Sequence, residues 1–392
     1  MLNGKKLSFI LDTGAKNTIL FGSSNSDSLV LNDQIKTKLS GLSGEPINAI
    51  ISRNNRIQIK NIFGYGQKVF VILDDSFNLS LKMGKPIHGI IGYELLKNFV
   101  TDINFKTQTL RFYNTKKFKI PNSKKYQKNN LEFHKDKPYI ETVSFLNDGS
   151  KHQTKLLIDT GCSDALWLFE KASTGLQITD KFFSDYLGEG ISGSIKGKRS
   201  KIKSFKIGDY TFNNITAAFL DSVSTQRARS FKERDGSIGS NLLQRFRVIF
   251  DYPNKILYLK KAKSFKKDFR YNRAGLGISY HKDAKVLVIE NNNKIIISDN
   301  TLADNNPLFK IDYQYKFKRL FSIYYVRENS PAGKAGLMVN DIIININDKA
   351  SYEYSLNEII GMLYADEGEI ITINIERNGI PFHYEFKLKK PL

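Results

Sequence analysis

The chain has 392 residues, which predicts two or three domains, and its 41% hydrophobic and 12% aromatic content excludes a disordered or fibrous protein. A single cysteine, Cys162, excludes an internal disulfide and any multi-cysteine zinc site, and five scattered histidines without metal-ligand spacing give no metal signal. The net charge of +21 predicts attraction to anionic partners, and no apolar run approaches the roughly 18 residues needed to span a bilayer, so no transmembrane segment is expected.

The first predicted elements are β-strands. Alternating runs at Lys6–Leu11, Ile57–Ile62 and Lys68–Leu73 are broken by clusters of Asn, Gly, Ser and Asp. Leu11–Ala15 reads LDTGA, and His88–Phe99 reads HGIIGYELLKNF, whose Leu95, Leu96 and Phe99 lie on one face of a short helix. Val100–Tyr113 reads as another strand and turn, and the lysine-rich stretch 116–134 as a solvated basic linker. The pattern then returns. IDTGC at Ile158–Cys162 repeats LDTGA after 147 residues, and DGSIGSNLLQRF at Asp235–Phe246 repeats the glycine block with the same shift. Even VILDDS at Val71–Ser76 lies opposite AFLDSV at Ala218–Val223. Residues 1–115 and 135–262 are therefore predicted to be duplicate lobes, each a small β-barrel or sandwich with one short helix, giving a mainly β protein. One difference separates them. Two strands and a hairpin turn precede the second motif, KPYIETVSFLNDGSKHQTKLLIDTG, but only MLNGKKLSFILDTG precedes the first. The first lobe is expected to lack the strand equivalent to Pro138–Phe145 and the sequence to begin inside a domain. A secretion signal, and with it a periplasmic, secreted or envelope location, would lie upstream.

An aspartate between an apolar strand and a glycine fits a tight turn in which backbone amides approach the carboxylate. Two such turns facing one another hold carboxylates that cannot both ionise readily. They share a proton, one acting as general base and the other as acid on a water between them. The threonine of each turn supplies a hydroxyl that can bond across the pair and stiffen it.

With these residues the sequence resembles the aspartic peptidase clan that includes retroviral proteases and pepsin, over roughly residues 1–260. The clan's apolar-apolar-Asp-Thr-Gly pattern and its later apolar-apolar-Gly block each occur twice: Ile10–Ala15 with Ile90-Ile91-Gly92, and Leu157–Cys162 with Ser237-Ile238-Gly239. The resemblance implies that Asp12 and Asp159 are the catalytic pair, that Thr13, Gly14, Thr160 and Gly161 support the catalytic loops, and that Gly92 and Gly239 pack beneath them. It implies no metal and no other cofactor, and polypeptides as substrates. Cys162 replaces the usual small residue and reads as packing, not as a nucleophile. The clan's flaps are glycine-containing hairpins, and Gly41–Pro46 and Gly188–Gly197 occupy the right intervals. Lys196, Lys198, Arg199 and Lys201 beside the second would favour acidic substrates.

After a second basic linker at 263–274 the pattern changes. Ser330 reads as a helix N-cap, Pro331 as the first helical residue and Gly336 as the stop; Ser355 and Glu358 form a capping box ahead of Leu356, Ile359, Ile360 and Leu363 on one helical face. Strands at Ile370–Glu376 and His383–Leu388 flank an Asn378-Gly379 turn, and 291–310 reads as an exposed insertion. Residues 275–392, with SPAGKAGLMVNDIIININ as the specific portion, resemble a PDZ domain, an α+β module, of the kind attached to bacterial proteases. That resemblance implies capture of peptide C-termini, with Leu276, Gly277 and Ile278 as the candidate carboxylate loop. The chain thus reads as a two-lobed aspartic endopeptidase with a PDZ-like module, or alternatively as an inactive peptide-binding scaffold of the same fold. Specific nucleic-acid binding is not expected, because the basic runs lack interleaved aromatic platforms, and no G-x-S-x-G elbow supports a serine hydrolase.

Overall fold

A computed structural model describes residues 1–22, 29–42, 46–73, 79–121, 123–191, 193–296 and 310–392. The chain divides into two compact units, one of Met1–Ser80, Lys85–Tyr271 and Lys390–Leu392, the other of Leu81–Gly84 and Asn272–Lys389.

In the first unit the duplication is a duplication of strand register. Phe9–Leu11 runs parallel to Gly89–Ile91 with Leu11 opposite Ile91, and Lys151–Ile158 runs parallel to Arg234–Ile238 with Ile158 opposite Ile238. Residues 147 apart thus occupy the same ladder positions. Each pair belongs to one lobe. The first lobe is a six-stranded sheet in the order Phe9–Leu11, Gly89–Ile91, Thr18–Phe21, Ile62–Ile72, Pro46–Ile59 and Gln34–Ser40. The second has eight strands: Glu132–His134, Lys137–Phe145, Lys151–Ile158, Arg234–Ile238, Leu166–Phe169, Tyr210–Leu220, Gly193–Ile207 and Phe183–Gly190. There Lys137–Phe145 also pairs with Gly193–Ile207, which folds the sheet round on itself. In the first lobe Phe9–Leu11 ends its sheet among the described residues, and Met1–Asn3 bond to Arg56–Gln58 of the strand Pro46–Ile59.

The two repeats share a third sheet. Its central strands, Val100–Asn104 and Phe246–Asp251, are antiparallel, with Thr109–Tyr113 on one side and Ile256–Lys261 and Gln127–Asn130 on the other. Asp102, buried at this junction, accepts hydrogen bonds from Nε and Nη2 of Arg247. The helical turns Tyr93–Leu96 and Ser240–Leu243 follow the glycine blocks, and their Leu96, Leu242 and Leu243 are buried in the main core with Ile158, Ile238 and Phe246.

Both expected linkers turn out to be structured. Residues 116–134 include the strands Gln127–Asn130 and Glu132–His134, because Tyr126 and Leu131 turn inward while the lysines stay outside. In 263–274, Phe269 and Tyr271 are buried and Phe265 packs on the same core, so the lysines ride on an aromatic-anchored segment.

The second unit is a sheet in the order Leu276–Ile296, Lys310–Val326, Ile342–Ile346, Ile370–Arg377, Ile380–Lys387, with Lys349–Ala350 paired to Ile342–Ile346. Its helix Leu356–Leu363 carries the capping box of Ser355 and Glu358 and buries Leu356, Ile359 and Leu363. Ser330 caps Pro331–Ala335, which Gly336 ends in the left-handed region. The expected insertion is partly a strand pair: pairing extends from Lys285 opposite Arg319 to Ile296 opposite Lys310, and it includes the apolar, mostly β-branched run Val286–Ile289. Residues 297–309 lie outside the described ones.

Candidate active site

Each Asp-Thr-Gly segment leaves its strand at the end of a parallel pair and turns beneath the glycine block. The backbone N–H of Asp12 donates to Ile91 O, and that of Asp159 to Ile238 O, both at 2.9 Å. Gly92 and Gly239 must lack side chains here. A Cβ on Gly92 would stand 2.2 Å from Ala15 O and 2.6 Å from Asp12 O, and one on Gly239 would stand 2.2 Å from Asp164 O. Both turns are thus pinned from below by backbone contact.

The two turns then lock to each other. Thr13 Oγ1 donates to Ile158 O at 2.6 Å and accepts from Thr160 N–H at 3.0 Å; Thr160 Oγ1 donates to Leu11 O at 2.7 Å and accepts from Thr13 N–H at 3.0 Å. Thr13 is fully buried. Four reciprocal bonds fix the separation of the turns, and each hydroxyl is satisfied as both donor and acceptor.

The carboxylates meet above this lock. Gly14 N–H donates to Asp12 Oδ1 at 2.7 Å, and Gly161 N–H and Cys162 N–H donate to Asp159 Oδ1 at 3.0 and 3.1 Å. The glycines also make room for the opposite acid: a Cβ on Gly14 would lie 2.9 Å from the Asp159 carboxyl carbon, and one on Gly161 2.6 Å from that of Asp12. The carboxyl groups hydrogen-bond to each other. Burial, then the charge of Asp159, pushes the Asp12 carboxyl up to about 8, against the opposing pull of the Gly14 N–H. The pair can therefore hold one proton over a broad pH range. Cys162 is buried and its thiol is pushed well up by burial and by Asp159 and Asp164, so it is a neutral packing group.

Two hairpins reach across the lobes. Ile191, in the turn between Phe183–Gly190 and Gly193–Ile207, packs on the first-lobe cluster of Ile19, Phe21, Ile72 and Ile90. Leu42, after Gln34–Ser40, packs on the second-lobe cluster that contains Trp167, Leu187 and Ile195. Residues 43–45 and 192 lie outside the described ones. The basic residues beside the second hairpin are not all available to a substrate: Arg199 is bonded to Asp164 and Asp185, and Asp164 also accepts from Trp167 Nε1 at 2.7 Å.

Sequence reasoning missed the groups around the pair. Lys137 and Arg234 lie close enough to Asp159 to feel its charge, and so does the buried Tyr252, whose hydroxyl has no hydrogen-bond partner among the described residues. A signal existed for Arg234, which stands where the first repeat has Ile87. In the C-terminal unit, Leu276–Ile278 forms the start of a strand opposite Ile323–Val326, with a register shift after Gly277. Leu276 and Ile278 are buried, and the strand is the edge of its sheet, with none beyond it among the described residues. Gly275 precedes it at φ +80, where a Cβ would stand 2.3 Å from Ser330 Cβ.

A profile of the aspartyl protease family matches residues 1–95 and 143–242, and a PDZ domain profile matches residues 322–377. No curated protein has significant sequence similarity to the chain. Among solved structures, the aspartic proteinase from Irpex lacteus is similar over 66% of this chain and 91% of its own, at 14% identity and a TM-score of 0.39. A retropepsin-like aspartic protease from Rickettsia conorii is similar over 34% of this chain and 98% of its own, at 22% identity and a TM-score of 0.25.

Proposed function

From duplicated lobes that match the aspartyl protease family and a C-terminal PDZ domain, we propose that the chain is an aspartic endopeptidase whose catalytic pair is Asp12 and Asp159. The observation that carries this reading is the pair itself: two hydrogen-bonded carboxyl groups on turns locked by Thr13 and Thr160. Asp12, held protonated by burial, donates to the carbonyl oxygen of the scissile peptide. Asp159 takes a proton from the bound water, which attacks the carbonyl carbon to give a tetrahedral diol. Return of that proton from Asp159 to the amide nitrogen breaks the C–N bond while one diol hydroxyl gives its proton back to Asp12, releasing a carboxylic acid and an amine. No metal or cofactor enters these steps. The crossing hairpins at Leu42 and Ile191 act as flaps that exclude water from the bound peptide.

The PDZ domain takes a peptide chain end as a further strand along Leu276–Ile296 beside the helix Leu356–Leu363, a role favoured by that strand's edge position. The decisive experiment is cleavage of an acid-denatured protein between about pH 3 and 8, with the parent, Asp159→Asn, and the parent plus a pepstatin-like inhibitor. Cleavage by the uninhibited parent alone is expected. Equal cleavage by Asp159→Asn would overturn the reading.

A further inference from the structure

Beside the carboxyl pair, the second lobe presents Lys137 and Arg234, and Arg234 stands where the first repeat has Ile87. Lys137 opens the strand Lys137–Phe145, whose ladder with Lys151–Ile158 begins with Tyr139 opposite Leu157. Lys137 itself lies opposite His134 at the hairpin end of that strand, within electrostatic reach of Asp159 and Asp12. Its neighbour Arg234 opens the strand Arg234–Ile238 and is 4% exposed. The Arg234 guanidinium donates to Ser237 Oγ at 2.8 Å and to Gly236 O at 3.2 Å, and lies over the Phe169 ring at 5.1 Å.

Neither cation has a carboxylate within ion-pair distance among the described residues. Lys137 is half-buried and Arg234 buried, and a buried cation is ordinarily paired, because an unpaired one forfeits its hydration without return. The charges that face Lys137 are Arg234, Asp159, Asp12 and Arg227; burial lowers its pKa and the two arginines act in the same direction, while the two aspartates raise it. Two cationic side chains from the second lobe thus stand next to the carboxyl pair. In the first lobe the residues 147 positions earlier are Ile87 for Arg234 and Ile90 for Ser237, packed with Ile19, Phe21 and Ile72.

We propose that these two cations form an anion subsite in which Lys137 receives the carboxylate of a substrate Asp or Glu next to the scissile bond, with Arg234 as fixed charge behind it. The isoleucine wall of the first lobe takes an apolar side chain on the other side of that bond. The cleft thus selects an acidic residue on one side and an apolar residue on the other, and this inference rests on the peptide-hydrolysis reading above.

The test uses the full chain and peptides matched except for Glu, Gln or Lys at each position flanking an apolar residue. The parent is expected to favour Glu over Gln by about tenfold or more in kcat/KM, the scale of a charge-assisted hydrogen bond. Lys137→Met should bring that ratio to about one, Lys137→Arg should retain it, and Lys137→Glu should reverse the preference toward Lys. A misfolded variant cannot produce that reversal. A parent without Glu preference, or a ratio untouched by Lys137→Met, overturns the subsite while leaving hydrolysis standing. So does an equal loss for all peptides with a displaced pH profile, which would put Lys137 to work on the carboxyl pair. If the parent cuts no peptide, hydrolysis fails and binding decides the subsite. Labelled Glu and Gln peptides are then titrated into Asp12→Asn with and without Lys137→Met: tighter Glu binding that depends on Lys137 upholds it, and equal binding overturns it.

Discussion

Replacing Asp12 by Asn should make the lobes more stable at pH 8 and leave them nearly unchanged at pH 4. The Asp12 carboxyl moves from its ordinary 3.8 to about 8 on folding, chiefly because burial and Asp159 disfavour its charged form. The folded chain therefore keeps a proton that the unfolded chain releases above about pH 4. Native stability falls as pH rises from about 4 to about 8, and the contribution is level outside that window. At about 1.4 kcal/mol for each tenfold in proton affinity, the loss reaches up to about 5 kcal/mol. An amide at position 12 is neutral throughout and removes the part of the slope that Asp12 contributes. The assay is urea unfolding at pH 4, 6 and 8 followed by fluorescence of Trp167, the single tryptophan, which sits in the second lobe and donates to Asp164. The expected result is coincident midpoints at pH 4 and a gap of several kcal/mol at pH 8. Parallel curves for the two proteins across that range would refute the reasoning.

Thr160→Val deletes the bond to Leu11 O and strips Thr13 N–H of its acceptor, so it should cost about 1–3 kcal/mol in urea unfolding and lower kcat more than it raises KM. Arg247→Met leaves Asp102 buried with only Arg111 at 3.8 Å, which should cost about 3–5 kcal/mol in the same assay, and adding Asp102→Asn should recover part of the loss.

Most of the scaffold is legible in the sequence because duplication tests itself. A shift of 147 residues recurs in the Asp-Thr-Gly turns, in the glycine blocks and in the ladder that joins them, so the short helical turns and the positions of Asp12 and Asp159 follow from pattern alone. Charge runs were the poorer guide. Residues 116–134 and 263–274 look like solvated linkers, yet Tyr126, Leu131, Phe269 and Tyr271 bury themselves, since one aromatic or leucine every few residues anchors a segment whose lysines face water. The junction sheet was hidden for another reason. Val100–Asn104 pairs with Phe246–Asp251, with Asp102 opposite Ile249 and so 147 residues from it, and nothing local in either strand names its partner.

The same duplication explains where sequence reasoning about the site stops. Repeated register reproduces the backbone of both turns, so Gly14 faces Asp159 as Gly161 faces Asp12, and the two acids look interchangeable. Chemistry on a peptide bond needs them to differ, one as acid and one as base. That difference comes from neighbours supplied by other strands. Burial and the charge of Asp159 raise the Asp12 pKa, while Asp159 lies beside Arg234, which stands where the first repeat has Ile87, and beside Lys137, which has no residue 147 positions earlier. The asymmetry that would make a symmetrical pair of turns into an acid, a base and a selective cleft therefore resides in residues that break the repeat, which a search for repetition passes over.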